Sequence, residues 1–354
     1  MKRLIIFLLL LFSAAAHAET VGDFRLAVVT DEVPGARQMA ETDSGLLLVG
    51  SLRQGNLYAV ASGSDGTAEV VTFARGLKLP SGLALTGGDL YVGALDRVLR
   101  YRAIEKTFRN NPQPEIVTDE LPDERHHGWK YLSVGPDGFL YVPVGAPCNI
   151  CESEDPRFAS ILRMDPATGE ATVYAAGVRN SVGMDWHPET GELWFSDNGR
   201  DWLGDDEPAE EVNRVTEVGA HYGYPYVHAG DILDPEFGAG HDPADYVTPE
   251  IMIQAHSAAL GLAFYTGSQF PESYRHALFI AEHGSWNRSS KVGYRVSVVR
   301  FGETRPVYEP FLDLWLKDEK VSGRPNDVLV SRDGSLLISD DKAGAIYRVT
   351  YQGE

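Results

Sequence analysis

The stretch His126–Cys151, HHGWKYLSVGPDGFLYVPVGAPCNIC, decides the reading of the fold. It sets YLSV and FLYVPV on either side of Gly135-Pro136-Asp137-Gly138. Short apolar runs flanking a Gly/Pro/Asp cluster read as two antiparallel strands joined by a tight turn. Two such strands return the chain to the end it left. The histidine pair 126–127 and the cysteines 148 and 151 are therefore expected at one and the same loop end.

Working outward, the unit recurs. Residues 36–60, 80–101, 181–197, 259–287 and 325–349 carry the same pattern, as in LALTGGDLYVG, MDWHPETGELWFSD and VLVSRDGSLLISD. With the opening stretch this makes six copies, spaced irregularly at roughly 40 to 70 residues, each with about four short strands. One small sheet cannot bury its faces alone, but six can by stacking on one another around a ring. The pattern predicts an all-β fold, a six-bladed β-propeller with four-stranded antiparallel blades. The last strand, 345–351, would leave an open edge, and the early strand 24–29 is placed to pair beside it and close the ring. Long amphipathic helices are missing. The 36 glycines and 20 prolines are spread as turn punctuation rather than gathered into a linker, so residues 19–354 read as a single propeller domain. The longest irregular piece, 221–254, is rich in Tyr, Gly, Pro and Asp, and loops of that length are usually functional or disordered.

Residues 1–18 read as a secretory signal peptide. They have a basic start at Lys2-Arg3, an apolar run and a small-x-small site at Ala16-His17-Ala18. No later run approaches the ~20 apolar residues of a membrane span. The expected location is periplasmic or secreted. The formal net charge of −20 argues against nucleic acid or anionic membranes as partners. Cys148 and Cys151 are the two cysteines. Residue 152 is not the histidine that haem attachment needs, and no βαβ context supports thioredoxin-like chemistry, so a structural disulfide is expected.

In a propeller the loops at one end converge on the axis. Residues at equivalent repeat positions are His126-His127, Arg179-Asn180, His256 and Arg324-Pro325-Asn326 before inner strands, and Cys148–Cys151, Asp197–Asp206 and Glu282–Trp286 after them. Arg supplies fixed donors and stacks on flat rings, Trp an aromatic face, and His a proton acceptor near neutral pH. The set suits an anionic, planar ligand. The segment from Asp197 to Asn213 is dense in oxygen donors, as Ca²⁺ requires, but fits no EF-hand register, and a solvated acidic loop would look the same. No Gly-x-Gly-x-x-Gly follows a strand and no Gly-x-Ser-x-Gly elbow is present.

Taken together, HHGWKYLSVGPDGFLYVPVGAPCNIC, AAGVRNSVGMDWHPETGELWFSDNGRDWLGDD, EEVNRVTEVGAHYGYP, HSAALGLAFY and GRPNDVLVSRDGSLLISDDKAGAIYRV resemble the glucose/sorbosone dehydrogenase family, in its sorbosone-dehydrogenase-like branch. The resemblance implies a quinoprotein that oxidises an aldose or sorbosone-like sugar by hydride transfer to pyrroloquinoline quinone (PQQ), with Ca²⁺. It implies His127 as general base, and Arg179, Asn180, His283, Trp286, Arg324 and Asn326 at the cofactor. His283 stands where relatives carry a lysine, and Asn326 where they carry a second arginine. It also implies Ca²⁺ held by backbone carbonyls at Gly199 and Arg200, a second Ca²⁺ position at Glu211 and Tyr222, and a separate electron acceptor, a quinone or a cytochrome. The competing expectation is a non-redox, Ca²⁺-binding propeller, either a lactone hydrolase or a carbohydrate-binding module.

Overall fold

The computed structural model describes residues 18–63, 67–302 and 305–353. The signal-peptide reading of residues 1–18 falls almost wholly outside them. The described chain forms a six-bladed β-propeller of small antiparallel sheets. Blade 1 runs from Ala36–Glu41 at the axis through Leu47–Ser51 and Leu57–Ser62 to Ala68–Ala74. Blades 2 to 6 begin at the innermost strands Gly82–Thr86, Ser133–Val134, Met184–Trp186, Ala259–Phe264 and Pro325–Val330.

Closure follows the sequence expectation. Strand Phe24–Thr30 pairs with Ala345–Tyr351, in register Leu26↔Val349, so the first and last parts of the ring share one sheet. A further strand, Ala18–Val21, makes that sixth blade five-stranded. The irregular piece is more ordered than its composition suggests. It holds a small hairpin, Val227–His228 with Ile232–Leu233, and ends in Ile251–Ile253, the outer strand of blade 4.

The core is one hydrophobic cluster per blade interface, six around the ring. The second strand of every blade is sandwiched on both faces, which explains why these strands read as continuous apolar runs. Each contributes a leucine at the same position: Leu47, Leu90, Leu140, Leu193, Leu278 and Leu336, all buried. Burying each stabilises the ring by about 1.5–3 kcal/mol.

Near the axis the blades approach backbone to backbone. A Cβ on Gly183 would sit 2.1 Å from the Leu260 carbonyl oxygen, so only glycine fits. The innermost strand of each blade is a sheet edge with unpaired N–H groups near the axis, and polar side chains of other blades take them up. Asp327 Oδ2 accepts from Met39 N at 2.8 Å, and Asp185 Oδ2 from Phe264 N at 2.7 Å. Gln38 Oε1 accepts from Leu83 N at 2.8 Å and Leu132 N at 3.0 Å. These bonds tie the blades together near the axis and satisfy donors that the ladders cannot.

Candidate active site

At one end of the ring the loops enclose a cavity of about 740 Å³. His127, Arg179, Asn180, Gly199, His283, Trp286 and Arg324 are all on its wall. Asn326 is not on that wall, and neither is Arg200, whose expected role at Ca²⁺ rests on its backbone carbonyl and not on its side chain. Asn326 is buried in the innermost strand of blade 6, and its Nδ2 has no partner among the described residues. The Arg200 guanidinium turns away to ion-pair with Asp234 and, at 3.5 Å, with Glu236.

His127 sits at the loop end of the opening stretch, as its hairpin requires. It is buried, and its backbone is left-handed at φ +50°. Its Nδ1 lies 2.9 Å from the Ala146 carbonyl oxygen. A carbonyl only accepts, so Nδ1 carries the hydrogen, and the Nε2 lone pair has no protein partner among the described residues. Burial, with Arg179 and His126 beside it, holds the imidazole well below its usual value, so the ring is neutral at neutral pH.

Arg179 is fixed on every side. Its Nε donates to the Asn149 carbonyl at 2.9 Å, Nη1 to the Asn198 carbonyl at 3.0 Å and Nη2 to Asn149 Oδ1 at 2.7 Å. Asn149 lies inside the Cys148–Cys151 disulfide loop, so that bridge braces the arginine's holder. Asp197 accepts from the backbone N of Arg179 and of Asn180, at 2.8 and 2.6 Å, which sets the turn that presents both side chains. The indole of Trp129 donates to Asn180 Oδ1 at 3.2 Å.

Opposite, Arg324 donates to the carbonyls of His283 and Gly284, at 3.0 and 2.8 Å, and keeps Nη1 unpartnered among the described residues. His283 and Arg37 share Asp341, at 2.9 and 2.8 Å. Burial would raise the Asp341 carboxyl, but the His283 hydrogen bond and the nearby charges outweigh it and hold it at about 2. Burial lowers His283 to about 4, against the pull of Asp341, so it is a neutral donor at neutral pH.

Arg37, Trp129 and Asp341 are wall residues that the sequence reading did not select. Arg37 stands at the start of the first repeat's innermost strand. The rule that selected Arg179 and Arg324 would have found it had it been applied to that copy. Arg37 is buried, and its Nε has no partner among the described residues. Four arginines, Arg37, Arg53, Arg179 and Arg324, thus line a cavity in a chain of net charge −20. A cavity with low-dielectric walls focuses that local positive field on an anionic ligand.

Behind the wall a second cavity of about 10 Å³, room for a single atom, is lined by Arg179, Asn198, Gly199, Glu211, Tyr222 and others. Asp197 and Glu211 face each other across paired strands. Burial pushes them up to about 7 and about 8. Among the described residues no three His, Cys, Asp or Glu are arranged as a metal centre. A calcium ion here would therefore draw most of its ligands from carbonyls and water.

The model of the glucose/sorbosone dehydrogenase family matches residues 89–348. An uncharacterised protein of Borreliella burgdorferi is 35% identical over 321 residues, 85% of this chain and 84% of that one. A pyrroloquinoline quinone-dependent sugar dehydrogenase of Hypocrea jecorina is 25% identical over 261 residues, 58% of each chain. Among solved structures, the PQQ domain of pyranose dehydrogenase from Coprinopsis cinerea superposes with a TM-score of 0.80 at 18% identity, over 95% of this chain and 97% of that one. The PQQ-bound aldose sugar dehydrogenase of Streptomyces coelicolor gives 0.68 at 19%, over 95% and 99%. At these identities the structural likeness establishes the propeller and nothing finer.

Proposed function

Since the chain belongs to the glucose/sorbosone dehydrogenase family, we propose that it oxidises an aldose or sorbosone-like sugar, with PQQ and Ca²⁺ bound in the cavity. The observation that carries this reading is one juxtaposition. Arg37 and Arg324 keep guanidinium N–H groups without partners among the described residues, across the cavity from a neutral imidazole whose Nε2 is likewise unspent there. Guanidinium forks match carboxylates, and the exposed ring of Trp286 offers a face to a flat ligand, so the residues present fit a planar polycarboxylate.

When bound, PQQ supplies the two-electron acceptor and Ca²⁺ a Lewis acid beside it. The remaining work falls to the chain. Arg37, Arg179 and Arg324 hold the ligand's carboxylates. His127 Nε2 would take the proton of the hydroxyl group borne by the carbon that gives up its hydride. The Ala146 carbonyl, already accepting from Nδ1–H, stabilises the imidazolium that results. Glu211 and Tyr222 would hold a second, structural calcium, whose charge would keep Asp197 and Glu211 ionised. The disulfide suits an oxidising, exported setting, and electrons would leave to a separate carrier.

The test is calorimetric titration of the apoprotein with PQQ in the presence of Ca²⁺, followed by dye-linked oxidation of an aldose panel. Micromolar binding and activity that appears only with both additions are expected. No binding at micromolar concentration would instead favour the non-redox propeller.

A further inference from the structure

Two tryptophans stand in solvent at the mouth of the cavity. Trp202 is 67% exposed and Trp286 66%, far more than large aromatics usually are. Their rings touch edge to face, centroids 5.4 Å apart and planes at 88°. They come from neighbouring blades, Trp202 from the loop after Leu193–Asp197 and Trp286 from the loop after Leu278–Glu282. Trp286 belongs to the cavity wall; Trp202 does not. The pair therefore extends the wall outward.

Trp202 is also held at a cost. Its φ is +74°, a left-handed backbone that a bulky side chain rarely adopts and that glycine takes freely. The loop is pinned on both sides. Asn149 exchanges hydrogen bonds with the Asp201 backbone, at 2.8 and 3.2 Å, and His256 Nε2 lies 2.8 Å from the Gly204 carbonyl. No burial of the indole offsets this strain. An apolar ring kept in water by a strained, clamped backbone marks a surface that awaits a ligand.

The polar neighbours say what kind. Asn287, next to Trp286 and on the cavity wall, donates Nδ2 to Asp201 Oδ1 at 2.9 Å. Its own Oδ1 is buried without a partner among the described residues. An unsatisfied amide acceptor beside two open indole faces suits a ligand with hydroxyl donors and an apolar C–H face, and an uncharged one, since Asp206 on the same loop is already paired with Arg288 at 3.0 Å and Asp205 accepts from Ser289 N at 3.1 Å. We propose that Trp202 and Trp286 form a subsite for a second, non-reacting sugar unit, so that the preferred substrate is an oligosaccharide entering by its reducing end. This rests on the sugar-oxidising reading of the cavity.

The test uses the full chain, Trp202→Gly and Trp202→Phe, with cellotriose, maltotriose and xylotriose, each beside its monosaccharide. Glycine relieves the positive φ, so this variant should melt no lower than wild type, and misfolding cannot then mimic the result. Calorimetry on protein without PQQ should show one trisaccharide bound, with affinity roughly 5- to 20-fold weaker in Trp202→Gly and largely kept in Trp202→Phe. In the loaded enzyme the trisaccharide-to-monosaccharide ratio of kcat/KM should fall by the same factor. If no trisaccharide binds, or if Trp202→Gly binds as wild type does, the subsite is refuted even where monosaccharides are oxidised. If Trp202→Gly changes only the KM for the electron-accepting dye, the pair is an acceptor contact and the proposal is overturned. If trisaccharide binding is lost in the variant while no sugar is oxidised, the subsite stands and the oxidation reading fails.

Discussion

Replacing His127 with asparagine separates chemistry from binding at this site. Asparagine tolerates the left-handed backbone, so φ +50° at this position is preserved. The imidazole it removes is neutral at neutral pH, because burial, Arg179 and His126 hold it well below 6.5. Its loss therefore takes no positive charge from an anionic ligand, and PQQ affinity should change by less than about threefold. What is lost is the proton acceptor at Nε2. A positioned general base contributes about 10²–10⁴ in rate, or roughly 2.7–5.4 kcal/mol of barrier. The assay is dye-linked kcat at saturating sugar on reconstituted enzyme, alongside calorimetric titration of PQQ. The pH profile gives an independent reading. The base must be unprotonated to act, so a lowered pKa places the acid limb of wild-type kcat/KM below 6.5, and the variant should lack that limb. A variant kcat within threefold of wild type, or a loss that appears wholly in PQQ affinity, would refute the role assigned to His127.

Other consequences can be measured on the same material. Arg37→Met should weaken PQQ about 10- to 100-fold by titration, the worth of a charge-assisted hydrogen bond, with far less effect on kcat. Leu193→Ala opens a hole in the interface between blades 3 and 4 and should cost about 2–5 kcal/mol in urea unfolding. Asp327 is raised by burial to about 7, so the native state holds a proton that the unfolded chain has released. Its contribution is fully present below about 3.9 and is lost as pH rises through about 7. Asp327→Asn should accordingly flatten the decline in stability between pH 5 and 8, and parallel wild-type and variant curves would show that Asp327 does not titrate there.

The propeller was legible in the sequence because each blade must be buried on both faces. That demand writes the same run, Leu followed by large apolar residues and ending in an acidic one, as in LWFSD, LFIAE and LLISD. Ring closure was legible for the same reason, since an unpaired final strand needs a partner and Phe24–Thr30 is the free apolar strand. The site was legible where a residue's place in the repeat fixes its place at the mouth, as for His127, Arg179 and Arg324. It was not legible where side-chain direction decides. Nothing in the sequence distinguishes Asn326, buried in the innermost strand of blade 6, from a residue that faces the cavity as Arg324 does two positions earlier. Nor does composition reveal that the irregular piece ends as the outer strand of blade 4, because Ile251–Ile253 is three residues long.

Asn326 and Arg37 lie on adjacent blades of the ring, and only Arg37 reaches the cavity wall. The resemblance expects a second arginine two residues after the first, on blade 6, where this chain has a buried asparagine. Blade 1 is the next blade around the ring, and its Arg37 shares Asp341 of blade 6 with His283 of blade 5. The carboxylate of Asp341 is thus the joint at which three loops meet. It offsets one of the two guanidinium charges near it, and its hydrogen bonds fix Arg37 and His283 in place before any ligand arrives. Because the acceptor is shared, removing it should act on both partners at once. Asp341→Asn would leave Arg37 free to rotate and would relieve the opposition to burial that now supports the proton on His283, whose pKa should fall further. The variant should therefore lose more PQQ affinity than removal of a negative charge beside an anionic ligand would allow on electrostatics alone. Tighter binding in Asp341→Asn would show instead that Asp341 acts only through its charge, and that Arg37 is held by something other than this joint.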